Sequence, residues 1–291
     1  MDSIEKQKRI TIFTLLFIPL ILLGLFVIYP TIKLINLSFT NWNGISSSVN
    51  YVGIDNYKTI ITDSPNVWLS LRNNATYFAI HLLFIPIELF VAFLLDRAMK
   101  GVKFFKTIVF MPYIINGVAV SYMFAMLYSS DGGALNGILN LFGFASVKWL
   151  SDISIVNFSL VGVSLWKFSG FHIVLFLAGI QSIPLDMLEA ATVDGANIFQ
   201  QFYKIVLPNI KTVISLVLFT NVTGALQVFD IPFIMTSGGP GHASSTFTLY
   251  TIETAFTYDK FGMASAMAVI LMLIIICVSF VQNKLVNRGE E

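Results

Sequence analysis

The chain has 291 residues, of which 56% are hydrophobic and only 11% are charged, and its mean hydropathy is +0.80. A water-soluble domain carries about 25% charged residues, so 17 basic and 16 acidic side chains cannot cover a surface that faces water. The composition therefore excludes a soluble enzyme, a secreted disulfide-linked scaffold and a disordered chain, and it predicts an integral membrane protein. The net charge of +1 gives no indication of nucleic-acid binding.

Six stretches are apolar and long enough to cross a bilayer, which requires about 20 residues in a helix. They cover approximately residues 10–38, 75–95, 104–128, 155–180, 213–235 and 263–286. The first stretch is far longer than the apolar region of a signal peptide and has no small-residue cleavage site, so we expect it to be retained. The predicted fold is all-α, a polytopic membrane protein in which residues 1–291 form a single transmembrane domain.

Basic residues are distributed unevenly between the two sides that six spans define. Lys167 lies within the fourth span, and five others lie on one side: Lys33, Lys58, Arg72, Lys148 and Lys260. The remaining eleven lie on the opposite side: Lys6, Lys8, Arg9, Arg97, Lys100, Lys103, Lys106, Lys204, Lys211, Lys284 and Arg288. Because loops rich in Lys and Arg remain in the cytoplasm, this asymmetry predicts that both termini are cytoplasmic.

The connections on the outer side contain short elements rather than a second domain. Residues 40–74 are polar and aromatic, as is typical of a membrane–water interface. The apolar stretch 135–144 is too short to span and is expected at that interface. Residues 237–241, Ser-Gly-Gly-Pro-Gly, predict a turn, and the apolar spacing over 247–258 predicts a helix after it.

The inner connection between the fourth and fifth spans, Gln181–Lys211, is much longer than two adjacent helices need. Pro184 and the carboxylates that follow it favour a helix start, and Gly195 is typical of a helix end or a close contact between helices. Aromatic residues then recur at helical spacing until Pro208, which is expected to end the second segment. An apolar face outside the bilayer needs a partner, which is either the chain itself or another subunit.

Several residues of this connection occur at fixed distances from one another. It reads Glu189-Ala190-Ala191, three residues, Gly195, nine residues, Ile205, one residue and Leu207-Pro208. This resembles without departure the E-A-A-x3-G-x9-I-x-L-P pattern of the EAA loop in permease subunits of binding-protein-dependent ABC importers. Other segments, among them Gly238-Gly239-Pro240, are similar to the carbohydrate-uptake branch, and most of all to the maltose-transporter-type permease. The additional N-terminal spans and the large outer domain of the enteric maltose permease are missing.

The resemblance implies a type I ABC importer permease in the bacterial plasma membrane. Its implied partners are a second permease subunit in a heterodimer, two ATP-binding subunits, an extracytoplasmic sugar-binding protein and membrane lipid. ATP and Mg would be held by the partner ATPase, since the chain lacks a G-x-x-x-x-G-K-[ST] phosphate loop, and no cofactor or catalytic residue is expected here. The implied ATPase-docking residues are Glu189, Ala190, Ala191, Asp194, Gly195, Phe199, Phe202, Ile205, Leu207 and Pro208. Phe199 and Phe202 are expected to insert into the ATPase groove.

Polar groups at membrane depth are candidates for the substrate pathway, and a sugar site should combine amides, hydroxyls and aromatic rings. The fourth span places such residues on one helical face, and the fifth span forms another. By resemblance these two spans line the permease cavity. The predicted pathway residues are Ser164, Lys167, Phe168, Phe171, Asn221, Ala225 and Val228. For Lys167, a side chain that snorkels to the interface or forms an ion pair is an equally open interpretation.

His81 and Glu88 are seven residues apart on one face of the second span. They leave open a proton-coupled secondary transporter as the alternative function, although polar contacts between helices explain such residues equally well. His172 is either a ligand or a packing residue. The three histidines lie in separate segments, and Cys277 is the only cysteine, so no metal-ligand set is predicted. An intramembrane enzyme is not supported, because H-E-x-x-H is absent.

Overall fold

A computed structural model of the chain describes residues 2–96 and 101–287, which are predominantly helical. These residues divide into two compact units. The first combines residues up to Ser64 with Thr251–Met272, and the second combines Pro65–Tyr250 with the chain from Leu273 onward. Three basic residues of the predicted charge asymmetry, Arg97, Lys100 and Arg288, lie outside the described residues.

The first unit contains the N-terminal span and a small polar cap. Its helices are α1 (Asp2–Leu23), continued through a π-helical turn (Gly24–Ile28) into α2 (Tyr29–Leu37), and α3 (Asp55–Thr62). The amide of Asn56 donates hydrogen bonds to the carbonyl oxygens of Ser38 and Thr40, both at 2.8 Å. The ring of Trp42 packs on Phe261 with centroids 5.6 Å apart. These contacts order the polar connection that follows the first span.

The second unit contains most of the remaining helices, and its central pair is α4 and α8. Its elements are α4 (Pro65–Asp96), α5 (Val102–Ile114), α6 (Gly117–Leu127), α7 (Ala134–Leu141), α8 (Val156–Gln181), α9 (Leu185–Val193), α10 (Ile198–Gln201), α11 (Leu207–Asn209), α12 (Lys211–Gln227) and α13 (Asp230–Thr236). Helices α14 (Phe247–Phe256) and α15 (Phe261–Asn287) contain residues of both units. One apolar core surrounds Phe176 and Phe202, and another surrounds Tyr77 and Leu160.

Five of the six predicted spans are single apolar segments long enough to cross a membrane. Within the described ranges these are Glu5–Leu37, Pro65–Asp96, Val156–Gln181, Lys211–Thr236 and Phe261–Gln282. The fourth of these is interrupted at Val228–Phe229, between α12 and α13, without a sharp bend. Each of the predicted spans except residues 104–128 therefore coincides with one apolar helical segment.

The prediction of one continuous helix over residues 104–128 is wrong. Helices α5 and α6 occupy this stretch, but they meet at an angle of 95°. Ile115 adopts an extended conformation with φ −67° and ψ 135°, and the side chain of Asn116 accepts a hydrogen bond from the amide of Val118 at 2.8 Å. An asparagine cap of this kind begins a new helix. Hydropathy alone does not detect it, because the flanking residues are all apolar.

The EAA loop (residues 182–211) confirms the predicted order of helix, glycine and helix. Helix α9 ends at Val193, and Gly195 follows with φ +80°, a left-handed conformation in which glycine is favoured. Asn197 and Gln200 form a reciprocal capping box at the start of α10. The expectation that Pro208 ends the segment is wrong by one residue, since α11 runs to Asn209.

Pro208 is tolerated there because a π-helical turn, Phe202–Val206, precedes it. In this turn the amide of Leu207 donates to the carbonyl oxygen of Phe202, five residues earlier. The shift in hydrogen-bond register means that the missing N–H of Pro208 interrupts no regular α-helical ladder.

Candidate functional site

A cavity of about 390 Å³ lies within the second unit. Residues of α4, α5, α6, α8, α12 and α13 line it. The structure brings all seven predicted pathway residues to this one cavity: Ser164, Lys167, Phe168, Phe171, Asn221, Ala225 and Val228. Helical spacing selected these residues within each span, and the family resemblance placed the two spans at one cavity; in the structure all seven line the same cavity.

Aromatic rings form one part of the cavity wall. Tyr113, at the end of α5, stacks on Phe171 with centroids 4.7 Å apart and an interplanar angle of 16°. The same tyrosine meets Phe168 edge to face at 6.3 Å. Because Phe168 and Phe171 are three residues apart on α8, both reach the same ring. The resulting apolar surface is of the kind on which a flat ligand face packs.

Asn221 provides a polar group with no partner in the described part of the chain. Its side chain lies in α12 and is 4% exposed, and neither its amide nitrogen nor its oxygen forms a hydrogen bond there. The hydroxyl of Tyr77, also in the cavity wall, is unpartnered as well. A buried polar group without a partner costs about 1–3 kcal/mol, so these groups are available to a ligand that enters the cavity.

Two histidines connect α4 to α8 at the cavity. The Nε2 atom of His81 lies 2.9 Å from the hydroxyl oxygen of Ser164, and Nδ1 of His172 lies 2.9 Å from a carboxylate oxygen of Glu88. His81 and Glu88 thus each pair with a residue of α8, as polar contacts between membrane helices do. The Ser164 hydroxyl is consequently shared with a histidine instead of being free.

Lys167 neither snorkels nor forms an ion pair in the described residues. Its side chain is 7% exposed, and its ammonium donates a hydrogen bond to the carbonyl oxygen of Ile115 at 2.6 Å. The same nitrogen lies 5.4 Å from the centre of the Phe168 ring. Lys167 thus lines the cavity, and its hydrogen-bond partner is a backbone group.

The EAA loop presents most of its motif to the surface of this chain. The exposed members are Glu189, Ala190, Asp194, Gly195, Phe199 and Pro208, and the half-buried members are Ala191, Ile205 and Leu207. Phe199 is 59% exposed, although its ring stacks on Phe90. These residues form a surface that another protein can reach.

Phe202 contradicts the expectation that it inserts into a partner. Its side chain is 7% exposed and belongs to the apolar core of this chain. Its ring lies 5.2 Å from that of Phe93 and 5.8 Å from that of Phe90. Phe202 is therefore covered by the chain itself, through Phe90 and Phe93 of α4.

Several cavity residues escaped the sequence analysis. Tyr77, Tyr113, Thr220 and Thr223 line the cavity, yet none stands out from an apolar span by its chemistry alone. Tyr113 could have been found only with knowledge that α5 packs on α8, where its ring meets Phe168 and Phe171. Across residues 2–96 and 101–287, no three His, Cys, Asp or Glu side chains form a group that could hold a metal ion.

Comparison with known proteins settles the family. The family described as "Binding-protein-dependent transport system inner membrane component" matches residues 5–289. The chain belongs to this family. The permease is 32% identical to the multiple sugar-binding transport system permease protein MsmF of Streptococcus mutans over 277 residues, which cover 95% of each chain. It is 31% identical to the arabinooligosaccharides transport system permease protein AraP of Halalkalibacterium halodurans, over 94% of this chain and 89% of that protein.

A solved structure confirms the fold of the permease. A chain of a bacterial ABC transporter involved in the import of the acidic polysaccharide alginate matches with a TM-score of 0.86 and 22% identity, covering 99% of both chains. The permease accordingly has the all-α fold of an ABC importer permease. It is a multi-pass transport subunit of the bacterial inner membrane and not an enzyme in its own right.

Proposed function

We propose that the permease forms the path along which a sugar or oligosaccharide crosses the membrane in an ABC importer. The observation that carries this proposal is the convergence of the seven predicted pathway residues on one cavity that holds an unpartnered buried amide. The substrate class is supported by the names of the relatives MsmF and AraP.

The chemistry of the cavity suits a sugar. Its volume of about 390 Å³ falls within the range of roughly 300–1,000 Å³ that small-molecule sites occupy. The aromatic wall of Tyr113 and Phe171 can pack on the C–H face of a pyranose ring. The amide of Asn221 can donate to one hydroxyl and accept from another, which would relieve the cost of its burial.

The energy for transport would come from partner chains. We propose that two ATP-binding subunits, which hold ATP and Mg, dock on the exposed part of the EAA loop, with Phe199 as the apolar anchor and Glu189 as a charged contact. A second permease would complete a heterodimer, and an extracytoplasmic binding protein would deliver the sugar. Residues 1–291 would act together as one transmembrane domain in this assembly.

The alternative, a proton-coupled secondary transporter that uses His81 and Glu88, has less support. Each of these residues is engaged by a partner on α8, at 2.9 Å in both cases. A proton relay requires groups that pass a proton from one to the next, whereas these two pairs join helices side by side. None of the relatives compared favours this alternative.

A single isosteric substitution tests the proposed pathway. Asn221→Leu keeps the shape of the side chain but removes both hydrogen-bonding atoms, so it should raise the KM for sugar uptake about ten-fold. The melting temperature should stay unchanged or rise, because an unsatisfied buried amide is replaced by an apolar group. Uptake is measured in proteoliposomes that contain the assembled importer.

The matched control is Asn140→Leu, which alters an exposed asparagine of α7 and should leave uptake unchanged. Wild-type KM for Asn221→Leu, in a variant that is assembled and folded, would contradict the assignment of this cavity as the sugar path.

A further inference from the structure

The break in the third span forms part of the cavity wall. We name residues 115–116, between α5 and α6, the elbow. Tyr113 lies just before it and Gly117 just after it, and both line the cavity. The position and angle of the elbow therefore determine where Tyr113 and Gly117 lie in the cavity wall.

The elbow leaves a backbone carbonyl outside regular helical bonding. Ile115 is extended, with ψ 135°, and no backbone amide of the described residues donates to its carbonyl oxygen. A backbone polar group at membrane depth needs a hydrogen-bond partner within the protein. Lys167 of α8 supplies it, with its ammonium nitrogen 2.6 Å from the Ile115 oxygen.

The ammonium of Lys167 lies within a membrane-spanning helix, where a charge is energetically unfavourable, and groups of the protein contact it. The side chain is 7% exposed, and a lysine within a membrane-spanning helix is disfavoured unless it is paired. Its ammonium lies over the Phe168 ring, 5.4 Å from the ring centre. The ammonium thus contacts the Ile115 carbonyl of the elbow and an aromatic face.

Asp230 also lies beside the elbow. A Cβ atom at position 117 would lie 2.7 Å from a carboxylate oxygen of Asp230, so the first residue of α13 packs directly against the first residue of α6. Only glycine fits this contact without a shift. Lys167 from α8 thus contacts Ile115 of the elbow, and Asp230 from α13 packs against Gly117, the residue that follows it.

We infer that Lys167 is a positioning residue for transport, which holds the elbow in place through the Ile115 carbonyl and so sets the cavity wall formed by Tyr113 and Gly117. Its effect on uptake rests on the proposed function, whereas its effect on the elbow does not. A distance measured by spectroscopy between α5 and α6 therefore tests this inference directly. Its result does not depend on whether the cavity carries sugar.

The distance test uses the full chain in lipid nanodiscs. Nitroxide labels are attached through Ile108→Cys on α5 and Met126→Cys on α6, in a Cys277→Ser background. With a helical rise of 1.5 Å per residue, these backbone positions are roughly 20 Å apart at a right angle and roughly 27 Å apart in a straight helix. Double electron–electron resonance should give a narrow distribution of label-to-label distances for the protein with the native Lys167 and for Lys167→Arg.

Lys167→Met should broaden this distribution toward longer distances, because it removes the donor to Ile115. The double variant Lys167→Met/Asp230→Asn should behave in the same way, and it leaves no unpaired charge in the membrane if the single variant fails to insert. Lys148→Met, at an exposed loop lysine, is the matched control and should change nothing. An unchanged distribution in the variants that lack Lys167 overturns the inference.

Uptake kinetics distinguish positioning from simple charge balance. If Lys167 served only to neutralise Asp230, the double variant would recover wild-type uptake, and this result would also overturn the inference. We expect instead that uptake stays about ten-fold below the wild type in both Lys167→Met and the double variant. Lys167→Arg, which retains a charged donor, should recover most of it.

Discussion

Phe199 and Phe202 of the EAA loop are three positions apart but lie in different environments. Phe202 is 7% exposed and packs between Phe90 and Phe93, whereas Phe199 stacks on Phe90 and remains 59% exposed. Interface energy is usually concentrated in a few aromatic anchors that can reach the partner. Phe199 meets this condition in the free chain, and Phe202 contributes to the stability of the loop itself.

Alanine substitutions should separate these two roles. Phe202→Ala should lower the free energy of unfolding by about 3–5 kcal/mol, since it leaves a cavity in the core. Phe199→Ala should change it by less than about 1 kcal/mol but should reduce the recovery of the ATPase subunit with the purified permease. Thermal unfolding followed by circular dichroism measures the first effect, and co-purification measures the second. Equal destabilisation by both substitutions would contradict this division.

The sequence predicted which residues line the cavity, but it did not predict the contacts that Lys167 and Phe202 make. Helical spacing placed Phe168 and Phe171 on one face of the fourth span, because a helix fixes which side chains share a side, and the family resemblance brought this span together with the span that contains Asn221. The partner of Lys167 could not be predicted, since the Ile115 carbonyl becomes free only where the third span breaks. The burial of Phe202 depends on α4, which is distant in sequence.

Among the elements, the junction between α9 and α10 depends most on one residue. Gly195 has φ +80°, and no atom lies within 4 Å of the place where its Cβ would be. A side chain would therefore cause backbone strain without a steric clash. The two effects can be separated by residues that differ in their tolerance of the left-handed conformation.

Gly195→Val and Gly195→Asn form such a pair. Valine in this conformation costs about 1–2 kcal/mol or more, so the helix end should rearrange and the ATPase subunit should be lost on purification. Asparagine tolerates positive φ, so Gly195→Asn should retain the subunit. Circular dichroism should show that both variants keep their helical spans. Retention of the ATPase by Gly195→Val would contradict a role for this junction in docking.

Hydropathy was sufficient to locate the spans but not to describe their continuity. Five spans were found because about 20 apolar residues in sequence have few alternatives to a membrane helix. The break between α5 and α6 was missed because Asn116 is one polar residue among apolar ones, and its capping bond is a local geometric feature. The π-helical turn before Pro208 was missed for the same reason.

For the whole molecule, the broken span determines the topology. If α5 and α6 together cross the membrane, six crossings place both termini on one side. If they return to the side from which they enter, five crossings place the termini on opposite sides. We propose the first arrangement, because it puts eleven of the 17 basic residues on the cytoplasmic side.

Reporter fusions test this topology. A fluorescent protein that matures only in the cytoplasm should be bright at either terminus, while alkaline phosphatase, which is active only outside, should be inactive at both. The outer loop before α4, fused after Ser48, should give the opposite pattern and serves as the control. One bright and one dark terminus would show that α5 and α6 form a re-entrant loop.

The most direct test of the account is the energy source for uptake. Proteoliposomes containing the permease with its partner permease and ATPase are given labelled sugars outside, together with the binding protein. We predict uptake that requires enclosed ATP and the binding protein, and that persists when an ionophore collapses the proton gradient. The account would be contradicted if the permease alone took up sugar, if this uptake did not require ATP, and if the ionophore abolished it.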